Sequence, residues 1–354
     1  MPAPRPARKG SGWKVFAIIL LVLLGLSFLL NLRHAASAVV SRGSRDRETA
    51  GPRLEEVILK DVDAVNKIAV INVDGVISGQ TVDQSYSMVS IIKEELRRAK
   101  RDGDVKAVIL KVNSPGGEVL ASDEIAKAIT KFETESSKPV VVSMGSLAAS
   151  GGYYVSAPCT WIVANELTIT GSIGVIMHGL NYRGLLDKIG VRPEVYKSGK
   201  FKDMLSGTKT QDEISPEERQ MVQSLIDETF DKFKSVVAEG RHGAYQSNKQ
   251  QGKMLSSDWE DYADGRILSG KEAYRLGFVD ELGDFEAAVK RAESITGIRS
   301  NHANLVQYQP VFDLSNLFRL FGKSDAKAVK VDLGVELPKL QAGYLYFLSP
   351  TYLH

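Results

Sequence analysis

The chain has few of the residues that most often mark a mechanism. Its 354 residues include one cysteine, Cys159, which excludes an intrachain disulfide and a cysteine-based metal cluster. Lying beside Pro158 and close to Trp161, Cys159 reads as a small core residue. Histidine is also scarce: His34, His178, His242, His302 and His354 are the whole set, so a general base has few imidazoles to come from. No excess of either charge exists, since 45 Lys+Arg against 43 Asp+Glu leave +2. That balance argues against a nucleic-acid binder. A GxxxxGK[ST] phosphate loop is missing, and there is no internal repeat.

What is present is a chain 43% hydrophobic, long enough for one large α/β domain with appendages. Residues 1–12 form a basic segment carrying Arg5, Arg8 and Lys9, and residues 13–32 follow almost without polarity. A run of that length spans about 30 Å of hydrocarbon as a helix, and the preceding basic residues favour a cytoplasmic amino terminus. A cleaved signal peptide is the competing reading, with Ala36-Ser37-Ala38 as its small-residue site. Both readings put the bulk of the chain on the exported side. Residues 33–66, rich in Arg, Ser and Glu, read as a solvated linker.

From residue 67 onward, apolar β-branched runs alternate with amphipathic segments. Strands are expected at 67–77, 105–112 and 139–143, and helices at 88–101 and 118–132. Such alternation implies right-handed βαβ units and a largely parallel sheet. Two glycine-rich turns, Asn113-Ser114-Pro115-Gly116-Gly117 and Met144 to Gly152, then open at the same sheet edge. Ser215-Pro216-Glu217-Glu218 carries a capping box and starts the longest helix. Residues 241–256 read as a polar loop. Residues 299–354 read as a tail whose apolar pieces, Leu314 to Phe321 and Tyr344 to Leu348, dock on something such as a neighbouring subunit.

Ser150 stands out within Ala148-Ala149-Ser150-Gly151-Gly152-Tyr153-Tyr154. A serine between a buried strand and a helix presents its Oγ at the carboxyl edge of a sheet, beside free backbone N–H groups. The same residues also suit a helix packed closely on a neighbour. Serine hydrolysis requires a base as well as oxyanion donors. His178 follows the Gly171-Ser172-Ile173-Gly174 turn, and Lys197, Lys200 and Lys202 form a cluster. A lysine serves as a base only when burial or a nearby cation lowers its pKa from about 10.4 toward 7.

An apolar amino-terminal segment combined with NSPGG at 113–117, AASGGYY at 148–154, TGSIGV at 170–175, SGKFKDM at 198–204 and LGFVDELG at 276–283 closely resembles the bacterial signal peptide peptidase family of the SppA type, in its short form with one copy of the domain. The resemblance covers about residues 67–298, the expected peptidase domain. It implies a Clp protease/crotonase-like fold behind an N-terminal transmembrane helix, and Ser-Lys proteolysis with Ser150 as nucleophile and Lys202 as general base. Ser172 would orient the lysine, with the N–H groups of Gly117 and Gly151 as oxyanion donors and Gly116 a less favoured one. Asp203, beside Lys202, would raise the amine's pKa unless an extended strand turned it away.

The resemblance further implies a homo-oligomer that shares its sites between subunits. Its substrates would be remnant signal peptides and other hydrophobic peptides at the cell inner membrane. The chemistry needs no metal or other cofactor. The rival readings are a catalytically inactive membrane scaffold and an acyl-CoA-binding protein of the crotonase-like fold.

Overall fold

The computed structural model describes residues 16–28, 51–80, 86–311 and 345–348. The chain divides into two units, Met1–Ala50 and Gly51–His354. In the first, residues 16–28 form helix α1, whose apolar side chains are exposed. The expected span over residues 13–32 runs past this segment at both ends, outside the described residues. Among the described residues no helix is long and apolar enough to cross a membrane.

The second unit is a mixed α/β fold built on a mainly parallel sheet. Its strands are β1 (Leu54–Lys60), β2 (Lys67–Asp74), β3 (Val105–Ser114), β5 (Val140–Ala149), β6 (Trp161–Ala164), β10 (Glu281–Leu282) and β11 (Asn304–Pro310), in the order β1-β11-β2-β3-β5-β6-β10. Along that order every neighbour pair is parallel except β1 with β11, and two further strands of the same sheet lie off it, β7 (Ile169–Gly171) parallel to β5 and β9 (Ile267–Ser269) antiparallel to β7. The central strands are buried on both faces, which is why they read as β-branched runs. In β3, Val108, Leu110 and Val112 join one core while Ala107 and Ile109 join another, the period of two that a pleated strand imposes. Helices α2 (Met88–Arg101), α3 (Val119–Ser136), α4 (Gly151–Ser156) and α6 (Pro216–Ser247) supply the first core, and α8 (Phe285–Ile295) supplies the second through Ala288 and Ala292.

Three elements differ from the sequence expectations. Strand β1 falls within the stretch expected to be linker and pairs with β11 in the stretch expected to be tail. Neither strand has a long apolar run, because an edge pair buries only part of each strand. Helix α6 continues to Ser247, through the first part of the expected polar loop. Phe233, Val237, Arg241 and Ala244 continue one buried stripe at helical spacing; hydropathy hides this because one member is an arginine. Finally, the capping box at Ser215 is half formed. Its hydroxyl accepts from Glu218 N at 3.2 Å, but the Glu218 carboxylate instead accepts from Lys209 Nζ at 2.7 Å and Leu205 N at 3.2 Å.

Arg241 explains how the long helix is held. Its guanidinium pairs with the Asp280 carboxylate and donates to the carbonyls of Ala157 and Cys159 at 3.3 and 3.2 Å. Asp280 in turn accepts from Ile162 N and Lys253 N. Both side chains are buried, so removing one leaves the other charged and desolvated, which costs about 3–5 kcal/mol. Asp280→Ala is therefore expected to lower the unfolding free energy by about 3–5 kcal/mol in a denaturant titration. A change below about 1 kcal/mol would contradict this account of the pair.

Candidate active site

Ser150 occupies the junction of β5 and α4. Its backbone has φ 54° and ψ −117°, a region that non-glycine residues enter at a cost of about 1–3 kcal/mol and that concentrates at functional sites. The conformation is held from both sides: Ser150 N donates to Gly171 O at 2.8 Å, and Tyr154 N donates to Ser150 O at 2.8 Å. The side chain is thereby aimed inward, where Ser150 is 1% exposed and its Oγ has no hydrogen-bond partner. A buried hydroxyl left unpaired costs about 1–3 kcal/mol.

The glycine turns meet at this serine. A Cβ on Gly151 would lie 2.7 Å from Ser122 Oγ and 3.1 Å from Gly117 N. A Cβ on Gly116, whose φ is +99°, would lie 2.5 Å from Gly151 N and collide with the carbonyl oxygen of Phe347. The backbones of Gly116, Gly117 and Gly151 thus approach one another as no side chain would allow, and the amides of Gly117 and Gly151 lie close together. Ser172 follows Gly171, the acceptor for Ser150 N. It is buried with φ 51°, and its N–H donates to Arg266 O at 2.7 Å.

Lys202 is not part of this cluster. It is exposed on a turn, whereas Ser150 Oγ has no hydrogen-bond partner; the two do not meet within one chain. His178 is exposed beyond β8 (Ile176–Met177) and likewise does not reach the serine. The neighbouring lysines are committed elsewhere. Lys197 donates to Asp203 at 2.7 Å and Lys200 lies 3.5 Å from Glu217. Lys209, which sequence reasoning passed over, donates to Glu218 and lies 3.3 Å from Asp203.

The ion cluster answers the question posed by Asp203. The residue sits in a turn and not in an extended strand, and Lys197 and Lys209 take its carboxylate. The hydrogen bond from Lys197 holds the Asp203 carboxyl below the usual range, and the bond to Glu218 raises Lys209. Lys209 was hard to find because its partner Glu218 reads as a capping residue in the sequence.

A groove runs past the serine between β4 (Gly116–Glu118) and β8. Strand β12 (Leu345–Leu348) fills it, antiparallel to both, with Phe347 opposite Gly117 and Leu348 opposite Gly116. The apolar piece expected at Tyr344 to Leu348 therefore docks, over its described residues, on its own chain. The other, Leu314 to Phe321, lies outside the described residues.

Fold and site together define an α/β protein of mainly parallel sheet with a strained, buried serine at a strand-to-helix junction packed among glycine backbones. The sequence profile described as Peptidase family S49 matches residues 133–299. An Enterococcus faecium protein carrying the name signal peptide peptidase SppA is 36% identical over 263 residues, 72% of this chain and 71% of that one. A Synechocystis protease is 39% identical over 240 residues, covering 68% and 78%. Protease 4 of Haemophilus influenzae is 37% identical over 245 residues, covering 69% of this chain and 37% of the longer relative. The chain belongs to peptidase family S49, among the SppA-like serine peptidases.

The strain and the unpaired hydroxyl give the site a measurable signature. Ser150→Gly relieves the φ penalty and removes the orphaned Oγ, against a smaller entropic cost of glycine of about 0.5–1 kcal/mol. The substituted protein is expected to be more stable by about 1 kcal/mol, as an increased denaturant midpoint at unchanged m-value. A decreased midpoint would contradict the strained geometry.

Proposed function

We propose that this peptidase is a membrane-tethered Ser-Lys endopeptidase of Clp protease/crotonase-like fold, with each site completed by two subunits. Ser150 of one subunit and Lys202 of its neighbour form the dyad. The carrying observation is that Ser150 Oγ is buried without a partner in the single chain while Lys202 is exposed. Docking a neighbour supports both needs at once, because it brings an amine to the hydroxyl and removes that amine from water. Desolvation is what makes lysine a base near neutral pH. In the stretch of chain that contains Lys202, Leu180, Tyr182, Leu185, Ile189, Tyr196 and Leu225 are exposed, apolar surface of the kind that subunit contacts cover.

The chemistry follows from the residues. The neutral Lys202 amine takes the proton from Ser150 Oγ as the oxygen attacks the peptide carbonyl, and Ser172 keeps the amine directed at the serine. Charge developing on the carbonyl oxygen is met by the N–H groups of Gly151 and Gly117. The protonated lysine then gives its proton to the departing amine, leaving an acyl-serine. Water, deprotonated by the same lysine, releases the acid and restores the hydroxyl.

A span at residues 13–32, supported by its apolar composition, would hold this chemistry on the exported side of the cell inner membrane, where remnant signal peptides and other hydrophobic peptides collect. Tethering raises the local concentration of such substrates. No metal or other cofactor has a part in this reaction.

Each of Ser150→Ala and Lys202→Ala is expected to lower peptide hydrolysis by roughly 10³-fold or more. Unfolding the two variants together and refolding them should recover roughly a quarter of wild-type activity, since random assembly pairs an intact serine with an intact neighbouring lysine about that often. Activity no greater than the two residual rates would place both groups in one subunit.

A further inference from the structure

Four charged side chains hold the turn that carries Lys202. We infer that Asp203, Lys209 and Glu218 are positioning residues for the Lys202 base: with Lys197 they form an ion relay that fixes the turn on α6 and neutralises the carboxylate beside the amine. This rests on Lys202 being the general base, as proposed above.

The relay begins inside the turn. Lys197 Nζ donates to both carboxylate oxygens of Asp203, at 2.7 and 2.8 Å, and to the carbonyl of Lys200 at 3.2 Å. Lys197 and Asp203 flank Ser198-Gly199-Lys200-Phe201-Lys202, so their contact closes a ring that contains the base. Gly199, at φ +88°, reverses the backbone within it. Asp203 then passes the contact on. Lys209 Nζ lies 3.3 Å from its carboxylate and 2.7 Å from that of Glu218, which stands in the first turn of α6. Glu218 also accepts from Leu205 N at 3.2 Å, so side chain and backbone together tie the turn to the helix.

Exposed ion pairs hold little, because water screens them and their long side chains lose freedom. The inner members of this relay are largely out of water: the side chains of Lys209, Asp203 and Glu218 are 10%, 14% and 5% exposed. The same helix grips α4 at its other end through Arg241. One element therefore carries both the anchor of the lysine turn and the clamp on the helix that Ser150 opens.

The relay also sets the charge around the base. Asp203 directly follows Lys202, and an unpaired carboxylate there would favour the protonated amine, which cannot act as a base. Two cations, Lys197 and Lys209, stand against two carboxylates, Asp203 and Glu218. Among the flanking charges, Lys200 lies 3.5 Å from Glu217 of α6. Arg183 of α5 (Arg183–Lys188) lies 3.9 Å from Glu213 and donates to Thr208 O at 3.3 Å. On the serine side, Ser122, Ser172 and the glycines at 116, 117 and 151 bring no charge.

The test compares peptide hydrolysis, its pH profile and oligomer size for full-length wild type and for Lys209→Met, Lys209→Arg, Lys209→Met/Glu218→Gln and Lys202→Ala proteins. Lys209→Met is expected to lower kcat about 30-fold, with KM changed less than about 3-fold and oligomer size unchanged. The rising acid limb of its kcat profile should move roughly 0.5 unit to higher pH, because loss of a cation beside Asp203 favours the protonated base. Lys209→Arg keeps the charge and should restore kcat to within about 3-fold of wild type. The double variant removes the buried Glu218 charge with its partner, so it reports even where Lys209→Met fails to fold; the same kcat loss is expected. A folded double variant within about 3-fold of wild type, an acid limb unmoved in Lys209→Met, an equal loss in Lys209→Arg, or dissociation of the oligomer would each overturn the positioning role. Loss of activity in Lys202→Ala with none in Lys209→Met would overturn the relay alone, whereas full activity in Lys202→Ala would overturn the role given to Lys202 and the relay with it.

Discussion

The site depends on a single backbone constraint: a serine held at φ 54° at the end of a buried strand. An ordinary strand-to-helix transition would turn the hydroxyl away from the glycine amides. The strained one is kept because its neighbours leave the chain no other path. Gly171 takes the serine's N–H, and α4 starts against Gly116, Gly117 and Ser122 with no space for a Cβ. The far end of that helix is gripped by Arg241, which donates to the Ala157 and Cys159 carbonyls and is neutralised by Asp280. The long helix α6 thus works as a clamp on α4, the helix that Ser150 opens. A buried ion pair is weak evidence for net stability, but here it fixes the position of the helix that begins at Ser150.

Much of this was legible in the sequence. The β-branched runs marked β2, β3 and β5, and the glycine-rich turns marked the edge where the site forms, because both signals are local. The strand-to-helix junction at Ser150 was local too. What stayed hidden depends on contacts distant in the chain. The continuation of α6 is visible only when Arg241 is seen to meet Asp280, and β1 needs β11 to be a strand at all. The tail piece at 345–348 carried the hydropathy of something that docks, but only the groove between β4 and β8 determines where it docks.

The lysine cluster shows the limit of local signals in another way. Lys197, Lys200 and Lys202 look alike in sequence, and Lys209 looks like a fourth. The folded turn separates them by partner: Lys197 pairs with Asp203, Lys200 lies near Glu217 and Lys209 is held by Glu218, whereas Lys202 is exposed on the turn. A committed lysine is a structural cation. An exposed one at a turn is available to a partner, as the proposed two-subunit site requires.

The central claim is that Ser150 becomes nucleophilic only when Lys202 of another subunit reaches it. Reaction with a serine-directed fluorophosphonate, followed by mass mapping of the modified residue on separated oligomer and monomer fractions, tests this most directly. The account predicts modification at Ser150 in the oligomer, and loss of that modification both in the monomer and in Lys202→Ala oligomers. Equal modification of Ser150 in the monomer, or in the Lys202→Ala oligomer, would contradict it.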